Sequence, residues 1–224
     1  MTDLILLFDI DGTLIRSGGI GRRALERAFE VVHGRPRALE GVVLDGSTDP
    51  IILDEALKLA GLRAPHAPIL EAYLGFLEEE AAALRTGGVL PGVAELLAAL
   101  EDRRDVARGL VTGNIEPGAF VKLRRFGLER AFRFGGYGSD TPERSEMVRL
   151  AVERSGARSG APVVLIGDTP NDIRAARANG ALSIAVATGH RYGRDELAAL
   201  EPDMLLDDLS IGAGLLDQVM ARLG

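Results

Sequence analysis

The stretch LILLFDIDGTLIRSG, residues 4–18, decides how the rest of the chain is read. An uninterrupted apolar run, Leu4 to Phe8, leads straight into Asp9, and Asp11 follows after a single isoleucine. Such a run, bounded by turn residues, predicts a strand covered on both faces, as in a parallel sheet. Carboxylates at the end of a buried strand lose hydration and call for a compensating charge. On a regular strand, residues two apart project the same way, which would direct Asp9 and Asp11 into one pocket. The Gly12-Thr13 that follows suggests a turn, which would separate the two carboxylates and give them different roles.

Runs of the same kind recur at ARGLVTGN (107–114), APVVLIGD (161–168) and LSIAVAT (182–188), with weaker candidates at AFRFGGYG (131–138) and DMLLDD (203–208). Helical patterns separate them: GVAELLAALEDR (92–103), GAFVKLRRFGL (118–128), SEMVRLAVERSG (145–156) and NDIRAARANG (171–180). Strand alternating with helix predicts an α/β fold with a doubly wound, Rossmann-like parallel sheet. Between Arg16 and Gly88 the alternation stops. There GRRALERAFEVVHG (21–34), DPIILDEALKLAG (49–61) and PILEAYLGFLEEEAAALR (68–85) read as successive helices with no strand among them. The expected organisation is a core of residues 1–15 and 89–224 and a small all-helical insert, 16–88, after the first strand. RSGG (16–19) and RTGGVLPG (85–92) join the two, and their glycines suit either a hinge between lobes or ordinary turns.

Composition narrows the chemistry. Of 224 residues, 46% are hydrophobic and 26% charged, proportions of a soluble globular chain. The absence of cysteine removes disulfides, zinc–thiolate sites and a cysteine nucleophile. A formal net charge of −7 argues against nonspecific nucleic-acid binding. With no basic leader before a cleavable apolar segment, and no apolar run long enough to span a bilayer, the expected location is the cytoplasm, without a membrane partner. Lys58 and Lys122 are the lysines; the other strongly basic residues are arginines, which limits where a catalytic lysine could stand.

In an open parallel sheet, ligands bind beyond the carboxyl ends of the strands. Those ends supply Asp9 and Asp11, then Thr112, Gly113 and Asn114, then Asp168, Thr169 and Asp172. Carboxylates gathered at one site repel one another, and a divalent cation relieves the repulsion, Mg²⁺ being suited to hard oxygen ligands. A bound cation would also let a carboxylate attack phosphorus. The Thr112 hydroxyl and the backbone N–H groups beside it suit phosphate oxygens, or else Thr112 or Asn114 caps a plain strand-to-helix turn. In DTPND (168–172), Thr169 reads as an N-cap, Pro170 as the first helical residue and Asp172 as the acidic third residue of a near capping box, so a structural role competes with a metal role there.

FDIDGTL, VTGN and IGDTPNDIRAARANG, at residues 8–14, 111–114 and 166–180, occur in this order over nearly the whole chain. They resemble the first, second and fourth motifs of the haloacid dehalogenase-like hydrolases, most of which are phosphatases. The helical insert resembles that family's type 1 cap. The resemblance implies that Asp9 attacks phosphorus to form an aspartyl-phosphate, while Asp11 protonates the departing alkoxide and then activates water. It implies Mg²⁺ bound by Asp9, the Asp11 backbone carbonyl and Asp168, with Asp172 holding the metal shell. Thr112, with Gly113 and Asn114, would bind the transferring phosphoryl group. The family's third motif normally carries a lysine ahead of a helix, and here GYGSDTPERSEMVRLAVE (136–153) contains none. Arg144 is the best placed cation, its fork suiting both Asp9 and phosphate. Lys122 is the rival, in a segment that reads as a solvated helical face.

Asp11 argues for a phosphate ester over a halide, which leaves without a proton. A Schiff-base phosphonate hydrolase would need a cap lysine, and Lys58 in DEALKLAG looks like an ordinary helix position. The expected function is a Mg²⁺-dependent phosphatase of a small phosphorylated metabolite, phosphoglycolate-like or sugar-phosphate-like, acting as a monomer or homodimer. A sugar-phosphate mutase and a non-catalytic phosphometabolite-binding protein are the alternatives. The IRSGG that replaces the continuation common in mutases and phosphoglycolate phosphatases weakens both of those specific assignments. Substrate choice would fall to Arg16, Ser17, Arg22 and the LDGSTDP loop, especially Thr48 and Asp49, although Thr48-Asp49 before Pro50 also reads as a helix N-terminus.

Overall fold

A computed structural model describes residues 3–223. In chain order its strands are β1 (Leu4–Phe8), β2 (Ile15–Arg16), β3 (Gly88–Val89), β4 (Val106–Thr112), β5 (Gly135–Tyr137), β6 (Val163–Gly167), β7 (Leu182–Val186) and β8 (Met204–Leu206). The helices are α1 (Ile20–His33), α2 (Asp49–Leu59), α3 (Ala67–Ala83), α4 (Val93–Ala99), α5 (Glu116–Arg125), α6 (Arg144–Arg154), α7 (Pro170–Ala178), α8 (Arg194–Ala198) and α9 (Gly214–Leu223).

Among the described residues one sheet runs β5-β4-β1-β6-β7-β8, with every pairing parallel. The chain starts in the middle of this sheet and winds outward to both sides, so β1 is buried along its whole length. Its alternation divides the core into two layers. Leu4, Leu6 and Phe8 face residues of α4, α5 and α9, including Leu96, Leu123 and Val219. Ile5 and Leu7 face α6 and α7 through Met147, Ala151 and Ala176. This is the doubly wound arrangement expected from the alternating runs. The two weak strand candidates are present as the short edge strands β5 and β8. The short α8 and the C-terminal α9 have no counterpart among the elements read from the sequence.

The helices α1, α2 and α3 build a second apolar cluster. Ile20, Leu25 and Phe29 of α1 meet Ile52 and Leu53 of α2 and Ile69, Tyr73 and Leu77 of α3. Ile115 and Val121 join from the sheet domain, so this helical layer rests on α5. The joints at either end pair with each other, a feature the sequence reading did not contain. β2 and β3 form an antiparallel ribbon, Ile15 opposite Val89 and Arg16 opposite Gly88. At two positions it has no room for a side chain. A Cβ on Gly18 would lie 2.2 Å from the Thr86 carbonyl oxygen, and one on Gly87 would lie 2.4 Å from that of Arg16.

Gly87 also holds φ at +134°, which L side chains avoid. Gly87→Ala should therefore destabilise the fold by about 1–3 kcal/mol in urea denaturation. A change below about 0.5 kcal/mol would mean that the ribbon is not held as described.

Candidate active site

Parallel register brings three strand ends to one edge. Phe8 pairs with Leu110 on one side and with Ile166 on the other. The residues just beyond, Asp9, Thr112 and Asp168, therefore emerge together, and all three are buried. Their charges are balanced by side chains arriving from the helices.

Arg144, the first residue of α6, sends its guanidinium under Asp9, with Nη2 2.8 Å from Oδ1. The same group donates to Asp172 Oδ1 from Nε at 2.9 Å and from Nη2 at 2.6 Å. Asp172 Oδ2 accepts the backbone N–H of Thr169 at 3.1 Å and its hydroxyl at 2.6 Å. Asp172 thus caps α7 through one oxygen, as the near capping box predicts, and anchors Arg144 through the other.

Asp9, Asp168 and Asp172 each bring a carboxylate oxygen within 4.8 Å of the others. Burial, added to by the charges of Asp172 and Asp11, pushes Asp9 up to about 6 against the pull of Arg144. Asp168 is pushed well above the carboxylate range by burial and by Asp9 and Asp172. Thr13 donates to Asp168 Oδ1 at 3.0 Å. The other oxygen lies in a cradle of glycine backbone, where a Cβ on Gly12 or Gly189 would sit 2.3 or 2.2 Å from it. Hard oxygens, mutual repulsion and a cradle kept free of side chains fit a small divalent cation.

Asp11 faces another way. Its Oδ2 accepts from Lys122 Nζ at 2.6 Å and from Asn114 Nδ2 at 3.0 Å, and its Oδ1 accepts from Ser17 at 2.6 Å. Asn114 also donates to Thr112 Oγ1 at 2.7 Å and accepts from Lys122 at 2.6 Å. Burial works to raise the Asp11 carboxyl, but the Lys122 charge and these hydrogen bonds outweigh it and hold Asp11 below the usual range. The turn at Gly12 (φ +90°), and not a regular strand, sets the two directions, and Asp11's carboxylate lies outside the acidic group of three. A metal role for Asp11 is left to its backbone carbonyl.

The reading of Lys122 as part of a solvated face is overturned. Its side chain is 8% exposed, with the helical layer folded over it. Gly118, one turn earlier on α5, is small enough to let Tyr73 of α3 close over that face; a Cβ there would lie 3.5 Å from the Tyr73 ring. A lone lysine in the apolar string AFVKL, one turn after two small residues, was the available signal. Lys122 and Arg144 therefore do not compete for one position. Each is paired with a different carboxylate of the first motif.

The LDGSTDP loop is stitched to the sheet domain. Thr48 caps α2 by accepting from Ile51 N at 3.3 Å. Asp49 donates its N–H to Gly113 O at 2.8 Å, and its Oδ2 accepts from Ile115 N at 2.8 Å. Gly113 cannot carry a side chain here, because a Cβ would lie 2.2 Å from Ser47 O. Asp49 is buried and its carboxyl is pushed up to about 6, Lys122 offsetting part of the burial. Arg16 and Arg22 stand farther out. Arg16 donates to Thr188 O at 3.3 Å, and Arg22 to Glu26 at 3.2 Å and Leu39 O at 3.4 Å. The site residues expected from the sequence, except Thr48 and Asp172, line one cavity of about 550 Å³ between sheet and helical layer. Tyr73, which the sequence reading did not single out, lines it too.

Comparison with known proteins points one way. The family described as haloacid dehalogenase-like hydrolase matches residues 5–180. A phosphoglycolate phosphatase of Pectobacterium atrosepticum is 30% identical, the alignment covering 90% of this chain and 87% of that one. A second phosphoglycolate phosphatase, from Pseudomonas fluorescens, is 28% identical over 92% of this chain and 76% of its own. In fold, the chain resembles the crystal structure of CbbY from Rhodobacter sphaeroides in complex with phosphate, with a TM-score of 0.74 at 24% identity over 95% of this chain and 97% of that one.

Two stability measurements check this geometry. Lys122→Met leaves the part-buried Asp11 carboxylate without its cation and should cost about 1–3 kcal/mol at pH 7; a loss under about 0.5 kcal/mol would mean that Lys122 is solvated after all. The Asp49 carboxyl, raised from its ordinary 3.8 to about 6 by folding, binds its proton more tightly in the folded chain. Its ionisation therefore erodes stability as pH rises from about 4 through about 6, and protonation restores it. Asp49→Asn escapes this, so its stability relative to wild type should improve by about 2 kcal/mol between pH 4 and pH 7. A difference independent of pH would contradict the burial of Asp49.

Proposed function

This chain belongs to the haloacid dehalogenase-like hydrolases, and we propose that it is a Mg²⁺-dependent phosphatase of a small phosphorylated metabolite, working through an aspartyl-phosphate on Asp9. It is a phosphoric monoester hydrolase of that family. The observation that carries the finer reading is the pairing of Asp9 with Arg144 at 2.8 Å beside a separate pairing of Asp11 with Lys122 at 2.6 Å. Two neighbouring carboxylates held in unlike environments are what a nucleophile and a proton carrier require.

The Asp9 oxygen forms a bond to phosphorus as the bond from phosphorus to the ester oxygen breaks, and Asp11 delivers a proton to that oxygen. Water then attacks the aspartyl-phosphate, losing its proton to Asp11, and inorganic phosphate leaves with Asp9 regenerated. Asp9, the Asp11 carbonyl and Asp168 would hold the Mg²⁺, which when bound neutralises the carboxylates and the phosphoryl oxygens. Asp172, whose oxygens already accept protein donors, orients that set through Arg144 and Thr169. The Thr112 hydroxyl, the Gly113 backbone, Asn114 and Arg144 receive the phosphoryl oxygens. An incoming phosphate competes with Asp11 for Lys122 and Asn114, which moves Asp11 back toward the range where it holds a proton. Residues 16–88 act as a cap over the cavity, with substrate contacts from the Arg16, Arg22 and Asp49 region.

Asp9→Asn should lower Mg²⁺-dependent kcat on p-nitrophenyl phosphate by about a thousandfold or more, with phosphate binding retained. Chelation of the metal should abolish wild-type turnover, and added Mg²⁺ should restore it. Equal turnover by wild type and variant would sink the assignment of Asp9.

A further inference from the structure

The cavity holds two polar groups that the phosphoryl chemistry leaves without a task. Asp49 is 8% exposed and Tyr73 1% exposed, and both line the cavity. Asp49 Oδ2 accepts from Ile115 N, but among the described residues its other oxygen receives no hydrogen bond. The Tyr73 hydroxyl has no protein partner among them either. Its end of the ring lies beside Gly21, where a Cβ would meet Lys122 Nζ at 3.2 Å and Tyr73 Oη at 3.8 Å. Both groups thus border Lys122, which binds Asp11, the carboxylate assigned to the leaving oxygen.

We propose that Asp49 and Tyr73 form the subsite for the alcohol half of the ester, and that this alcohol carries further hydroxyl groups and no carboxylate. The inference rests on the phosphatase reading of the site. Neither the free Asp49 oxygen nor the Tyr73 hydroxyl is sealed off from the cavity, so a polyol hydroxyl can reach the carboxylate and donate to it. The Tyr73 hydroxyl stays neutral, being pushed well above its usual range by burial and by the Asp49 and Asp11 charges, so it can donate to or accept from a second hydroxyl.

A leaving group with its own carboxylate meets the opposite situation. It would bring a second anion next to a buried one, where Coulomb repulsion is poorly screened. The cations that line the same cavity do not cancel this. Lys122 and Arg144 are shared among the carboxylates of the first motif, Asp172 and the phosphoryl oxygens, while Arg16 and Arg22 lie toward solvent and donate to Thr188 O, Glu26 and Leu39 O. The apolar wall of Leu25, Leu39, Leu44 and Ile52 offers a carboxylate nothing. Size points the same way. A cavity of about 550 Å³ is in the range that encloses a whole metabolite and exceeds what a two-carbon acid fills.

The test is steady-state kinetics with Mg²⁺ on glucose 6-phosphate, glycerol 3-phosphate and 2-phosphoglycolate, with p-nitrophenyl phosphate as a general phosphatase probe. Wild type should prefer at least one of the two polyol phosphates to 2-phosphoglycolate by about tenfold or more in kcat/KM. Asp49→Asn keeps an acceptor for Ile115 N while removing the charge, and should shrink that ratio by about tenfold, as should Tyr73→Phe to a smaller degree. A wild-type preference for 2-phosphoglycolate, or variants that lower all substrates alike, overturns the proposal and leaves the phosphatase reading standing. No turnover of any ester, p-nitrophenyl phosphate included, overturns both.

Discussion

The central constraint in this molecule is a surplus of buried negative charge at the carboxyl edge of its sheet. Asp9, Asp168, Asp172 and Asp49 are buried there, with the part-exposed Asp11 beside them and Arg144 and Lys122 as the cations between. An arrangement with more carboxylates than cations is unfavourable in a low-dielectric interior unless something else completes it. The strain shows in the raised Asp9, Asp168 and Asp49, and its local relief shows in the lowered Asp11. A divalent cation beside Asp9, Asp168 and Asp172 would supply the missing positive charge.

The fold is arranged around that edge. The parallel register that aligns Phe8 with Leu110 and Ile166 delivers three polar strand ends to one place. The short ribbon of β2 and β3 returns the helical layer over them, and its glycines allow the backbones to approach. Asp49 then ties the start of α2 to Gly113 and Ile115. The same residue that closes the helical layer onto the sheet thus forms part of the cavity wall. Any movement of this layer would have to break or carry those two hydrogen bonds, which couples opening of the cavity to the position of the turn that follows Thr112.

What could be read in the sequence was set by periodicity and by position relative to strand ends. Continuous apolar runs located β1, β4, β6 and β7, and the polar residues closing them located Asp9, Thr112 and Asp168. The ribbon was invisible because strands of two residues carry no periodic signal. Lys122 was misread because charge on a helix usually marks the solvated face, and only the later packing of Tyr73 over Gly118 reveals otherwise. The different directions of Asp9 and Asp11 were foreshadowed by Gly12, yet the partner of each carboxylate comes from a helix distant in sequence. No local pattern encodes such a pairing.

The pairing also explains why an arginine suits position 144. Its guanidinium reaches Asp9, Asp172 and the Val111 carbonyl at once. A lysine ammonium is a point charge on a flexible stem and could not bridge both carboxylates with the same planar fork. Through Arg144, the start of α6 is bound to the cap of α7 and to the end of β1, so the carboxylate assigned as nucleophile is fixed by elements from three parts of the chain. Lys122 has the converse requirement. A compact ammonium with rotatable donors can serve Asp11 and Asn114 and still turn toward a phosphoryl oxygen. A rigid cation thus stands behind the carboxylate proposed as nucleophile, and one with rotatable donors beside the carboxylate proposed as proton carrier.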